Sequence, residues 1–239
     1  MKVVSAYRPI ELYMAYHIEL ARQGFDWIEA SRMLAHSAKV RSGVDTYVIT
    51  DAPLPVPCHV FKTREEKLML WILEVSLAYL ESDDFDQNTV FISPDSLVVG
   101  SLDLFGDFDL GVSAWDSRRH SRWMNGLQWW PVAAKAGLVR LYAEAFEIAK
   151  ALPVEDQRWG ADTIPLVQLL GPMESPGLFL RDGLSVRFFP AGTLSTVGPL
   201  QMRKGSLPRA LSTVVVDFKD KNKGHMVEYY EKEFIHGHT

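Results

Sequence analysis

The sequence predicts an α/β protein with a mixed, mostly parallel central sheet flanked by helices, and three observations predict it. Short β-branched runs alternate with longer helical stretches through the first part of the chain, the pattern of βαβ units. Proline and glycine fall where helices should begin and end, at Pro9, Gly24 and Gly43. The 239 residues, 47% of them apolar and 23% charged, are enough to bury a sizeable core, and no internal repeat, low-complexity tract or linker divides them. One domain over residues 1–239 is the expectation.

The elements follow in order. Val3 to Tyr7 reads as a buried first strand, and Pro9 then opens a helix through "IELYMAYHIELARQ" that Gly24 closes. Asp26 caps a second helix, "WIEASRMLAHSAKVRSG", closed by Gly43. "DTYVIT" is a second strand ending at Asp51, and Pro53, Pro55 and Pro57 stiffen the loop to a third, "CHVFK". From Arg64 to about Leu80 the pattern is helical and apolar on nearly every face, as a helix packed between a sheet and its neighbours would be. "NTVFIS" is the fourth strand and delivers Pro94 and Asp95 at its carboxyl end, where ligands of open α/β sheets sit. Beyond it come a strand "FDLGVSAW", a basic turn "DSRRHSR", a strand around "NGLQWWPV" and a helix from about Ala134 to Leu152. Asp162 opens a short helix, "TIPLVQLL", and "SVRFFP" and "TVVVDFK" are late strands.

Composition excludes several classes. A net charge of −5 argues against a surface held to nucleic acid by phosphate neutralisation. The single cysteine, Cys58, allows no intramolecular disulfide and no Cys/His zinc framework, which fits a cytoplasmic location. No apolar run approaches the ~18 residues of a membrane span, so no integral membrane association is expected.

Four stretches, taken in order, carry a resemblance. "TVFISPDSLVVGSLDLFGDFDLGVSA", "MNGLQWW", "RWGADTIPL" and "VDFKDKNK" together resemble nucleotide-sugar-dependent glycosyltransferases of the GT-A fold, in the glycogenin-like and galactosyltransferase-like branch. The likeness runs from the first strand to about residue 226. It implies a hexosyl- or pentosyltransferase moving a sugar from a nucleotide-diphosphate donor to a hydroxyl of a glycan, a protein, a small molecule or a modified nucleobase. It also implies a nucleotide-binding half, 1–105, and an acceptor-side half, 106–239, ending in a metal and phosphate loop.

Such a transfer builds negative charge on the departing diphosphate, which a divalent ion or Lys/Arg donors must offset. The resemblance implies manganese or magnesium held at an Asp-x-Asp motif and a late loop histidine. Here the first motif position is Ser93, the second is Asp95, and Asp217 stands in place of the histidine, so Asp95, Asp217 and Ser93 form the implied metal set. Lys219 and Lys223 match the lysines that reach the diphosphate, although Asp220 replaces a loop glycine. Ser5, Ala6, Tyr7 and Asp51 match the base and ribose positions, and Arg64 and Lys67 a basic position near the phosphates. Asn125 and Gly126 match residues lining the donor sugar, and Asp162 a helix-start carboxylate that touches sugar hydroxyls or acts as base in an inverting transfer.

Blander readings stand beside these. Asp95 alone is a turn cap, Asp162 a helix N-cap, and the lysine run a solvated loop. The tryptophans, including Trp129 and Trp130, read as core before they read as sugar platforms. Two functional alternatives also stay open: a noncatalytic binding protein that keeps the fold after losing its metal site, and a metal-independent transferase in which lysines replace the ion.

Overall fold

The first strand, β1 (Lys2–Ala6), is buried along its whole length and organises the rest. This computed structural model describes residues 1–9, 25–113, 126–171, 176–196, 213–218 and 223–236. The expected first helix, the basic turn, Asn125, Lys219 and Asp220 lie outside the described residues.

On one side β1 pairs in parallel with β2 (Thr46–Thr50), which pairs in parallel with β3 (Cys58–Val60). On the other it pairs in parallel with β4 (Thr89–Ile92). Later strands extend that side. They are β6 (Leu110–Ser113), β7 (Leu127–Trp130), β8 (Gly177–Arg181) and β9 (Leu184–Phe189), and they complete an eight-stranded sheet in the order β3-β2-β1-β4-β7-β6-β9-β8. β7 runs against both β4 and β6, and β8 against β9; the other pairings are parallel. A second, three-stranded sheet joins β5 (Ser96–Val98) to β11 (Val215–Asp217), which also pairs with β10 (Leu194–Thr196).

Successive strand residues point to opposite faces, and both faces of the large sheet are covered. Val4, Phe91, Val112 and Trp130 pack on one side against α2 (Leu68–Glu81), α3 (Lys135–Ala151) and α5 (Ile164–Leu170). Their neighbours Val3, Val90 and Trp129 pack on the other against α1 (Trp27–Ser42) and the second sheet. A third cluster joins α1 to the terminal α6 (His225–Tyr230) through Met33, Phe218, Met226 and Tyr229. Trp129 and Trp130 are therefore core, each with its indole N–H satisfied, by Leu102 O and by Gln128 Oε1, both at 2.9 Å.

Expected and observed elements coincide closely for β1 to β4, α1, α3 and α5. α1 is capped as expected: the Asp26 carboxylate accepts from the N–H groups of Ile28 and Glu29, and Gly43 closes it at φ 68°. α2 begins at Leu68, later than expected, because the N–H groups of Arg64 and Glu65 are engaged by the Glu74 carboxylate instead of opening a helix. α5 begins after Asp162, with Thr163 at its cap position. β5, β8, β10, α6 and the short α4 (Val154–Trp159) were not anticipated.

Candidate active site

The chain leaves β1 to build β2 and β3 on one side and returns to place β4 on the other, so a topological switch point falls between β1 and β4. Ligands of open α/β sheets sit at such a point, outside the strands' carboxyl ends. The register Lys2↔Thr89 and Val4↔Phe91, continued by two residues, sets Ala6 level with Ser93. Ser5 and Ala6 are buried within the strand itself, and the Ser5 hydroxyl has no partner among the described residues.

The β1 wall is aromatic and basic. Tyr7 stacks on Trp27, with ring centroids 6.0 Å apart and planes 18° from parallel. Trp27 is placed by the cap, since Asp26 fixes the start of α1. Burial, and secondarily the charge of Asp26, raises the Tyr7 hydroxyl above the ordinary phenol range. Arg8 follows, with its Nε 2.8 Å from Asp51 Oδ2, a second nitrogen donating to Glu65 O at 2.7 Å, and its guanidinium over the Trp71 ring. Asp51 also accepts from Thr63 Oγ1 at 3.3 Å, so this carboxylate ties the ends of β1 and β2 to the loop before α2. Arg64 and Lys67 lie on that loop; Lys67 donates to Gln157 of α4.

The opposite wall comes from the β4–β5 turn. The Ser93 N–H donates to Gly126 O at 2.9 Å, anchoring the turn to the start of β7. Antiparallel pairing sets Ser96 opposite Asp217, and the Phe218 N–H donates to Asp95 O at 2.9 Å. The ladder thus brings the 93–96 stretch against 217–218 from far along the chain. Ser96 Oγ donates to Asp217 Oδ1 at 3.3 Å. One oxygen of Asp95 accepts from the Ser93 hydroxyl and the other from the Lys223 ammonium. The side chains of Lys223 and Asp95 are 6% and 4% exposed, and Lys223 Nζ sits 5.0 Å from the centre of the Trp27 ring.

Ser93, Asp95, Gly126, Asp217 and Lys223 therefore come together, and Trp27 links them to Tyr7. Asp162 lies in the turn before α5, half-buried, where it accepts from Thr163 Oγ1 at 3.3 Å and its charge acts on the buried Tyr142 hydroxyl. Trp27 and Arg8 escaped the sequence reading. Their only signals were position, Trp27 directly after a cap and Arg8 directly after a strand-ending aromatic. Among the described residues, no group of three or more His, Cys, Asp or Glu is placed to hold a metal ion.

No family model and no curated protein matches this sequence. Solved structures do match its shape. A glycosyltransferase involved in glycosylating the major capsid of PBCV-1 aligns over 96% of this chain and 98% of its own, with TM-score 0.58 at 11% identity. The galactosyltransferase LgtC, in complex with donor and acceptor sugar analogs, aligns over 97% and 94% with TM-score 0.50, also at 11% identity. The bifunctional glycosyltransferase WbbM aligns over 96% of this chain and 49% of its own, with TM-score 0.52. Likeness at this identity speaks for architecture alone, and the architecture is the GT-A glycosyltransferase fold.

Proposed function

We propose that the protein transfers a sugar from a nucleotide-diphosphate donor to a hydroxyl acceptor in the crevice between β1 and β4. One observation carries the reading. At the switch point of a GT-A sheet, Asp95 and Lys223, 128 residues apart in sequence, meet beside a stacked Tyr7–Trp27 pair. That arrangement offers an aromatic face for a base and charged groups for a diphosphate.

In this reading the acceptor oxygen bonds to the anomeric carbon while the bond from that carbon to the diphosphate oxygen breaks. The electron pair and the negative charge stay on the nucleoside diphosphate. The acceptor proton passes to a carboxylate, for which Asp162 is the candidate because it stands in a turn and does not cap α5. Tyr7 and Asp51 face the nucleotide, with Ser5 and Ala6 as the floor behind them. Gly126 lines the sugar and Lys223 meets the phosphates; Asn125 and Lys219, to which the resemblance gives the same roles, lie outside the described residues.

The divalent ion that the fold family implies does not fit the donor set as arranged. Both Asp95 oxygens are engaged, one by Ser93 and one by Lys223, which leaves Asp217 as the remaining carboxylate of the implied set.

Calorimetry with a panel of nucleoside diphosphates, each with and without manganese, tests the reading. At least one should bind, and the corresponding nucleotide sugar should slowly release it. If none binds under either condition, the proposal fails. Binding without release from any sugar donor would assign the noncatalytic role instead.

A further inference from the structure

We infer that the ammonium of Lys223 is a built-in substitute for the divalent ion, so that this site holds its diphosphate without metal. The inference rests on the donor-site reading above and deepens it.

Three observations support it. The first is occupancy. Ser93 contributes a neutral hydroxyl where the related motif has a second acid, and both oxygens of Asp95 are already engaged, one by that hydroxyl and the other by the Lys223 ammonium. The second is placement against local preference. Lys223 opens the turn that leads into α6, and a cation at the amino end of a helix lies on the wrong side of its dipole. The lysine is held there by Asp95, with both side chains almost wholly buried. Sequence choices that oppose their own local structure gather at functional sites.

The third is the remaining valence of the group. An ammonium has three N–H donors. Asp95 Oδ2 takes one and Phe218 O, at 3.5 Å, weakly takes another. The third has no partner among the described residues and is available to a phosphate oxygen. Trp27 fixes the same ammonium from the side, through a cation–π contact at 5.0 Å, and also stacks on Tyr7. The lysine thus sits between the carboxylate turn and the aromatic pair that would hold the base.

Two experiments decide the matter. In the first, the wild-type chain is titrated calorimetrically with UDP, GDP, ADP and CDP in excess EDTA and again in excess manganese. The diphosphate that binds should do so with affinities within about threefold of each other in the two conditions. Binding that requires manganese overturns the inference and leaves the transferase reading standing. Absence of all binding sinks the transferase reading, and the second experiment still tests the lysine. It follows manganese alone by electron paramagnetic resonance, with wild type and with Lys223→Ala. Wild type should leave the ion free, and Lys223→Ala should bind it at the vacated Asp95 and Asp217. If wild type binds manganese, the inference is overturned whether or not the variant folds. A folded Lys223→Ala that binds no manganese would reduce the lysine to a structural tether and also overturn it.

Discussion

Asp95 and Lys223 are each nearly sealed from solvent, so removing one leaves the other's charge buried without its counter-charge. Asp95→Ala is expected to destabilise the fold by about 3–5 kcal/mol, the usual cost of breaking a buried pair from one side. Asp95→Ala combined with Lys223→Met should cost clearly less than the sum, and a denaturant double-mutant cycle reads the difference. His59 supplies a prediction for pH. Burial is the main cause lowering its pKa below the ordinary imidazole value, and Lys2 adds to this while Asp84 and Asp86 oppose it. The unfolded chain therefore binds the proton more readily, so stability should rise with pH through the window just below about pH 6.5. His59→Gln should flatten that slope in urea melts taken across the window. Residue identity was the most legible part of the site: Asp95 stood out at the end of an apolar strand, and the resemblance picked out Asp217 and Lys223. Their mutual contacts were not legible, because an ion pair spanning 128 positions has no local signature.

Elements were readable in proportion to their length and punctuation. α1 announces both its ends, with an aspartate at one and a left-handed glycine at the other. Asp26→Ala should cost about 1 kcal/mol and Gly43→Ala a similar amount, measured as additive shifts in thermal unfolding. Gly43 has open space where a Cβ would go, so its cost is conformational and not steric. β5 and β10 span only three residues each, too few for a period of two to emerge from noise. The hairpin of β8 and β9 is a different case. Its turn is Asp182-Gly183, both with positive φ (47° and 72°), as a type I′ turn requires. That Asp-Gly signal was present in the sequence and went unread. The final helix, α6, was hidden because its start carries no capping side chain: Gly224 stands at the cap position and makes no side-chain hydrogen bond there.

At the scale of the whole molecule, sensitivity should follow position across the large sheet. β1 lies inside it, and its side chains feed separate cores on the two faces. Val4→Asp would bury an unpaired charge against α2 and α3, and loss of the cooperative thermal transition is expected. Leu180 lies on the outermost strand, 78% exposed, and Leu180→Asp should change stability by no more than about 0.5 kcal/mol. The parallel pairing among β1, β2, β3 and β4 was legible as a βαβ alternation, whereas their spatial order was not. The small second sheet was not legible either: β11 reads as a strand, but its pairing with the distant β5 leaves no local marker. That sheet is what turns a generic crevice into a charged one.

The long separation between the two halves of the ion pair also has a meaning in time. A nascent polypeptide emerges from the ribosome amino end first, so the eight strands of the large sheet, ending at Phe189, are made well before Lys223 exists. Until the last stretch is translated and β11 docks, the Asp95 carboxylate waits without its counter-charge. An unfinished copy can then already hold the outline of the large sheet and still lack the charged corner of the proposed donor site.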